Sequence, residues 1–102
     1  MAIINANVTT VPTSIYTSSG NSAITVMHFC NYSNNGTTAN VYLVPNGKLA
    51  NVTTQIYSLA SLVAGQTLVV DTEKVIFSNG DAIYASANAN VSVTATVSYI
   101  GI

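Results

Sequence analysis

Three Asn-Gly pairs punctuate this chain: Asn35-Gly36, Asn46-Gly47 and Asn79-Gly80. Each stands between segments rich in Val, Ile, Thr and Tyr. Asn-Gly suits the type I′ turn, whose two central residues both need positive φ, and that turn joins neighbouring antiparallel strands. A chain broken this way is built of hairpins. Further breaks fall at Pro12, at Ser18-Ser19-Gly20-Asn21 and at Ala64-Gly65-Gln66. Between them the sequence predicts about eight strands, over residues 3–10, 13–17, 23–32, 39–44, 54–59, 67–71, 75–77 with 82–87, and 90–100. The residue types agree. There are 13 Val, 9 Ile and 13 Thr against 5 Leu and no Arg. Bulk near Cβ packs well on a pleated surface, and the straight-chain helix formers are scarce.

The last segment alternates most clearly. Val91, Val93, Ala95, Val97 and Tyr99 share one face, and Ser92, Thr94, Thr96 and Ser98 the other. Period-two alternation sets one face in a core and one toward water or a partner. In residues 23–32, Ile24, Val26 and Cys30 point one way and Met27 and Phe29 the other. Both faces are apolar, so that strand is expected to be covered on both sides, the second cover coming from a neighbouring subunit. Short strands at this spacing predict one all-β domain over residues 1–102, an antiparallel β-sandwich, jelly-roll-like or immunoglobulin-like.

Charge narrows the function. Only 5% of the 102 residues are charged: Lys48, Lys74, Asp71, Glu73 and Asp81, for a net charge of −1. An ordinary globular protein carries about 25%. Two lysines cannot neutralise a nucleic-acid backbone or hold an anionic membrane surface. Disorder is excluded too, because disordered chains combine low hydrophobicity with high charge. A surface this poor in charge is weakly protected against association, which predicts oligomerisation or assembly into something larger. No apolar run approaches the length of a spanning helix, and the start Met1-Ala2-Ile3-Ile4-Asn5 has no signal-peptide pattern, so cytosolic synthesis is expected. Cys30 is the sole cysteine and forms no intrachain disulfide.

Candidate chemistry is thin. His28 and Cys30 share a strand face, an arrangement that in principle activates a thiolate, but no cation lies near in sequence to lower the thiol pKa. Both read as packed strand residues. Asp71, Glu73 and Asp81 are three carboxylates of the kind that bind calcium, yet the alternating oxygens of an EF-hand are missing and Lys74 offsets the charge. There is no Gly-x-Ser-x-Gly elbow, phosphate loop or zinc spacing. No enzyme activity, metal or cofactor is expected. Asn-x-Ser/Thr triplets, among them Asn31-Tyr32-Ser33, follow from the abundance of those residues. Six tyrosines remain, at positions 16, 32, 42, 57, 84 and 99. Tyrosine over apolar surface serves protein interfaces and sugar stacking. Tyr42 and Tyr84 are the candidates for either.

Two stretches, Ile24-Thr25-Val26-Met27-His28-Phe29-Cys30-Asn31-Tyr32 and Val97-Ser98-Tyr99-Ile100-Gly101-Ile102, carry a resemblance. So do Ala2-Ile3-Ile4, Asn40-Val41-Tyr42-Leu43-Val44-Pro45-Asn46-Gly47 and Ser78-Asn79-Gly80-Asp81-Ala82-Ile83. Across essentially its whole length the chain resembles the small virion-associated proteins of marine tailed bacteriophages, cyanophages in particular. The resemblance implies a virion structural protein. Its first expectation is a capsid decoration (cement) protein, a homo-oligomer, expected as a trimer, that binds the major capsid protein on the head surface. Residues 2–11 are then an arm or exchanged strand. Ile3, Ile4, Val8, Val11, Tyr42 and Tyr84 are the candidate contact residues. The alternatives are a tail, neck or fibre-attachment component, or a carbohydrate-binding adsorption module.

Overall fold

The computed structural model describes residues 2–70, 75–88 and 93–102. They form nine strands: β1 (Ala2–Val8), β2 (Thr13–Thr17), β3 (Ser22–Asn31), β4 (Thr37–Val44), β5 (Gln55–Leu62), β6 (Thr67–Val70), β7 (Val75–Phe77), β8 (Ala82–Ala87) and β9 (Val93–Gly101). All pairing is antiparallel, in two sheets. Sheet A runs β1-β9-β3-β6, with β7 also on β3, and sheet B runs β2-β8-β4-β5.

The pairs nest. β4 meets β5, β3 meets β6 and β7, β2 meets β8, and β1 meets β9. This is one long hairpin rolled up, closed by the further pairs β3–β9 and β4–β8. β6 and β7 lie successively along the same edge of β3, against Met27–Cys30 and Ser22–Ile24. Counted as one interrupted strand they give the eight strands of a jelly roll. Of the two sandwiches the sequence allows, the nested order selects this one.

Rolling the hairpin changes what the Asn-Gly pairs do. None closes a two-residue hairpin. Asn35-Gly36 and Asn79-Gly80 carry the chain from sheet A to sheet B, and Asn46-Gly47 opens the ten-residue loop from β4 to β5. Positive φ falls on Gly47 (84°) and Gly80 (89°), and on neither preceding Asn. Lys48 N–H donates to the Pro45 carbonyl at 3.0 Å, and Asp81 N–H to that of Ser78 at 3.1 Å. A single left-handed Gly at the third position marks a type II turn, not type I′. At Asn79-Gly80 the chain crosses between sheets and at Asn46-Gly47 it enters a long loop, so neither needs the twist that type I′ imparts to a two-residue hairpin. For the same reason the segment predicted as one strand from 75–77 with 82–87 is two, one in each sheet.

A bulge corrects the faces of β3. The β3–β9 register shifts between Ile24 and Val26, so Ile24 faces inward beside Met27 and Phe29, and Val26 faces out. The extra residue resets the alternation. The alternation of β9 stands as read over its described residues, with Val93, Ala95 and Val97 buried. The core joins Met27, Phe29 and Val97 of sheet A to Val41, Leu62 and Ile83 of sheet B, with Ala39, Ala85 and Ala95 between the large side chains. Tyr16 lies between the rings of Phe77 and Tyr99, at centroid separations of 6.3 and 4.4 Å. Its hydroxyl donates to Ser22 Oγ at 2.9 Å. Among the described residues no buried side-chain nitrogen or oxygen lacks a partner.

Candidate contact surfaces

None of the nine described strands carries an Asp, Glu, Lys or Arg. Among the described residues, the charged side chains are Lys48 and Asp81, and both lie in connections. Asp81 turns both carboxylate oxygens to the chain itself, Oδ1 accepting from Asn46 N–H and Oδ2 from Ser78 N–H, each at 2.9 Å. Over the described residues both sandwich faces are therefore uncharged.

The outer face of sheet A follows from the registers. One cross-strand row is Asn7, Thr94, Cys30 and Thr67; the next is Asn5, Thr96, His28 and Val69. The third is Ile3, Ser98 and Val26, and the last Ile100, Ala23 and Ile76. Thr96 Oγ1 donates to Asn5 Oδ1 at 2.9 Å, holding two neighbouring strands in line. Ile3, Val69, Ile76 and Ile100 are exposed. The face is uncharged, with hydroxyls and amides at one end and branched apolar groups at the other. His28 and Cys30 sit within it, half-buried, in adjacent rows between threonines and valine.

The outer face of sheet B brings Tyr42 and Tyr84 together. They stand directly opposite each other in the β4–β8 register, while Val41, Ile83 and Ala85 beside them face the core. Nothing in the sequence spacing joins two tyrosines so far apart; the β4–β8 pairing does. Tyr42 exposes only 8% of its surface and Tyr84 is half-buried. Around them runs a polar ladder: Asn40 Nδ2 donates to Ser86 Oγ at 3.2 Å, and Gln55 Nε2 to Asn40 Oδ1 at 3.0 Å. Leu59 N–H also donates to Asn40 Oδ1, at 2.8 Å, from a backbone φ of 53°.

The remaining candidate residues separate. Ile3 and Val11 are well exposed and Ile4 partly so, whereas Val8 is fully buried. Residues 2–8 are the edge strand β1, paired with β9 at every position from Ala2↔Tyr99 to Val8↔Val93. In this chain Val8 thus belongs to the core, and the candidate contact residues of the segment are Ile3, Ile4 and Val11. Edge strands commonly carry Lys, Pro or inward charge that discourages further pairing. β1 and β5, at the sheet edges, carry none of these.

A groove at one open end, lined by Leu43, Val44, Pro45, Ile76, Phe77 and Asp81 among others, encloses about 150 Å³. Small-molecule pockets run from about 300 Å³ upward. Its carboxylate is already occupied by backbone N–H groups. Among the described residues no three His, Cys, Asp or Glu side chains gather as metal ligands. The run Asp71-Thr72-Glu73-Lys74 lies outside the described residues. Comparison with protein-family models, with curated proteins and with solved structures returned no match.

Proposed function

We propose that this protein is a phage virion structural protein, and specifically a capsid decoration protein that binds the assembled head and stabilises it. The observation that carries the reading is the neutral outer face of sheet A, with Ile3, Val69, Ile76 and Ile100 exposed on strands that hold no charge. Such a face costs little to desolvate and meets no like-charge repulsion from repeated copies around a shell. The whole-chain resemblance supplies the virion. A protein that binds only the assembled shell stabilises it by mass action, and several contacts per oligomer multiply the effect. The partner is then the major capsid protein, the oligomer a trimer at local three-fold positions, and the location the head surface.

The sugar-binding reading fits less well, because stacking needs an open ring face and Tyr42 is 8% exposed. A ring or fibre-attachment component in the neck or tail uses the same neutral surfaces with different symmetry. Cryo-electron microscopy or immunogold labelling of intact virions decides between them. Density or label over the head at three-fold positions is the expected result. Label confined to neck or tail would overturn the cement assignment.

A further inference from the structure

The Asn-Gly pairs have a second chemistry besides turning the chain. Glycine leaves the amide nitrogen after an asparagine sterically open, so that nitrogen can attack the asparagine side chain. The pairs look alike in sequence, but the fold holds them differently. At Asn79-Gly80 both reacting groups are engaged: Asn79 Oδ1 accepts from Gly20 N–H at 2.8 Å, and Gly80 N–H donates to the Ser18 carbonyl at 2.9 Å. At Asn35-Gly36 the joining peptide is pinned through its carbonyl, which accepts from the buried Asn31 Nδ2 at 2.8 Å and from Ser33 Oγ at 2.9 Å. Ring closure must rotate that peptide and break both bonds.

Asn46-Gly47 differs. Among the described residues neither the Asn46 carbonyl nor the Gly47 N–H is hydrogen-bonded, and the Asn46 carboxamide has no hydrogen bond either. The frame of the turn is held outside the reacting peptide, by Lys48 N–H on the Pro45 carbonyl and by Asn46 N–H on Asp81 Oδ1. The central peptide of a β-turn can rotate while the bond closing the turn persists. Both residues are exposed.

We infer that Asn46 is the site of spontaneous deamidation in the folded protein, and that the reaction sets a new carboxylate against Asp81. The Gly47 nitrogen, its proton taken by solvent, attacks Asn46 Cγ. The N–Cγ bond forms, the Cγ–Nδ2 bond breaks, and ammonia leaves carrying a proton from solvent. Water opens the succinimide to aspartate or isoaspartate, and no electrons are transferred. The product stands where Asn46 N–H meets Asp81 Oδ1 at 2.9 Å and where the Asn46 side chain packs on Gly80. On so weakly charged a protein, that like-charge pair loosens the contact between the β4–β5 and β7–β8 connections.

The test holds the purified full-length protein at mildly alkaline pH in heavy-oxygen water. Peptide mapping then follows the three sites, in the folded protein and in denaturant. Asn46 is expected to convert several-fold faster than Asn35 and Asn79 when folded, with the three rates converging in denaturant. Asn46→Gln should remove the fast phase of ammonia release. Faster conversion at Asn35 or Asn79 in the folded protein, equal rates at all three, or a fast phase that survives Asn46→Gln would each overturn the assignment.

Discussion

Asn31 shows how much a single side chain can do in this fold. It is fully buried at the end of β3. Its Nδ2 donates to the carbonyls of Asn35, Leu62 and Val63, and its Oδ1 accepts from Ser33 N–H and Oγ. It thereby ties the β3–β4 connection to the end of β5. Asn31→Ala should cost about 2–4 kcal/mol in urea denaturation, because it removes a buried donor from the Leu62 and Val63 carbonyls and the acceptor from Ser33 N–H. Asn31→Asp should cost at least as much despite its equal size, since it turns an acceptor toward three carbonyls; a neutral Asp variant would contradict this account. In sequence Asn31 is one asparagine among 12, and only the meeting of two loops marks it out. Gly80 is the converse case, a residue the Asn-Gly pattern does flag. Its φ is +89°, and an added Cβ would fall 2.5 Å from Asn46 Cγ. Gly80→Ala should destabilise by about 1–3 kcal/mol. Adding Asn46→Ala should recover the steric part and leave the strain of the positive φ, a partial rescue that thermal melts can measure.

At the scale of elements, β1 and β3 carry the clearest lessons. The existence of β3 is plain from its apolar run, and its inner face is not, because one bulged residue near Thr25 moves Ile24 to the core side. A shift of one residue exchanges the faces of a strand, and no local pattern announces it. β1 is legible as a strand and as an edge candidate, but its inner end is structural. Removing residues 2–5, all exposed, should leave a cooperatively folding domain. Extending the deletion through Val8 should cost about 2–4 kcal/mol or more, because a fully buried side chain and the inner pairs with β9 go with it. Chemical denaturation of the two truncations distinguishes a strand integral to the sandwich from a free arm. If the longer deletion melts like the intact chain, the arm reading is restored.

The described strands form a rolled hairpin whose faces carry no charge, and surface behaviour belongs to this scale. Thr96 lies in the middle of the sheet A face, between Asn5 and His28. Thr96→Lys should leave the monomer's melting temperature within a few degrees, as surface substitutions usually stay within about 0.5 kcal/mol. Self-association or particle binding through this face should fall by roughly tenfold or more, the cost of desolvating one unpaired charge at a contact. Analytical ultracentrifugation and co-sedimentation with particles measure it, and unchanged association would place the contact elsewhere. The sequence by itself determined most of the strands, their antiparallel sandwich and the scarcity of charge. Alternation, β-branched residues and scarce charge are local or compositional properties, and they survive without knowledge of partners in space. Only the tertiary structure decided that the roll is nested, that the Asn-Gly pairs cross between sheets or open a long loop, that Tyr42 faces Tyr84, and that Asn31 and Val8 are buried. Those facts depend on which distant strands pair and in what register, and pairing is set by packing the whole core at once.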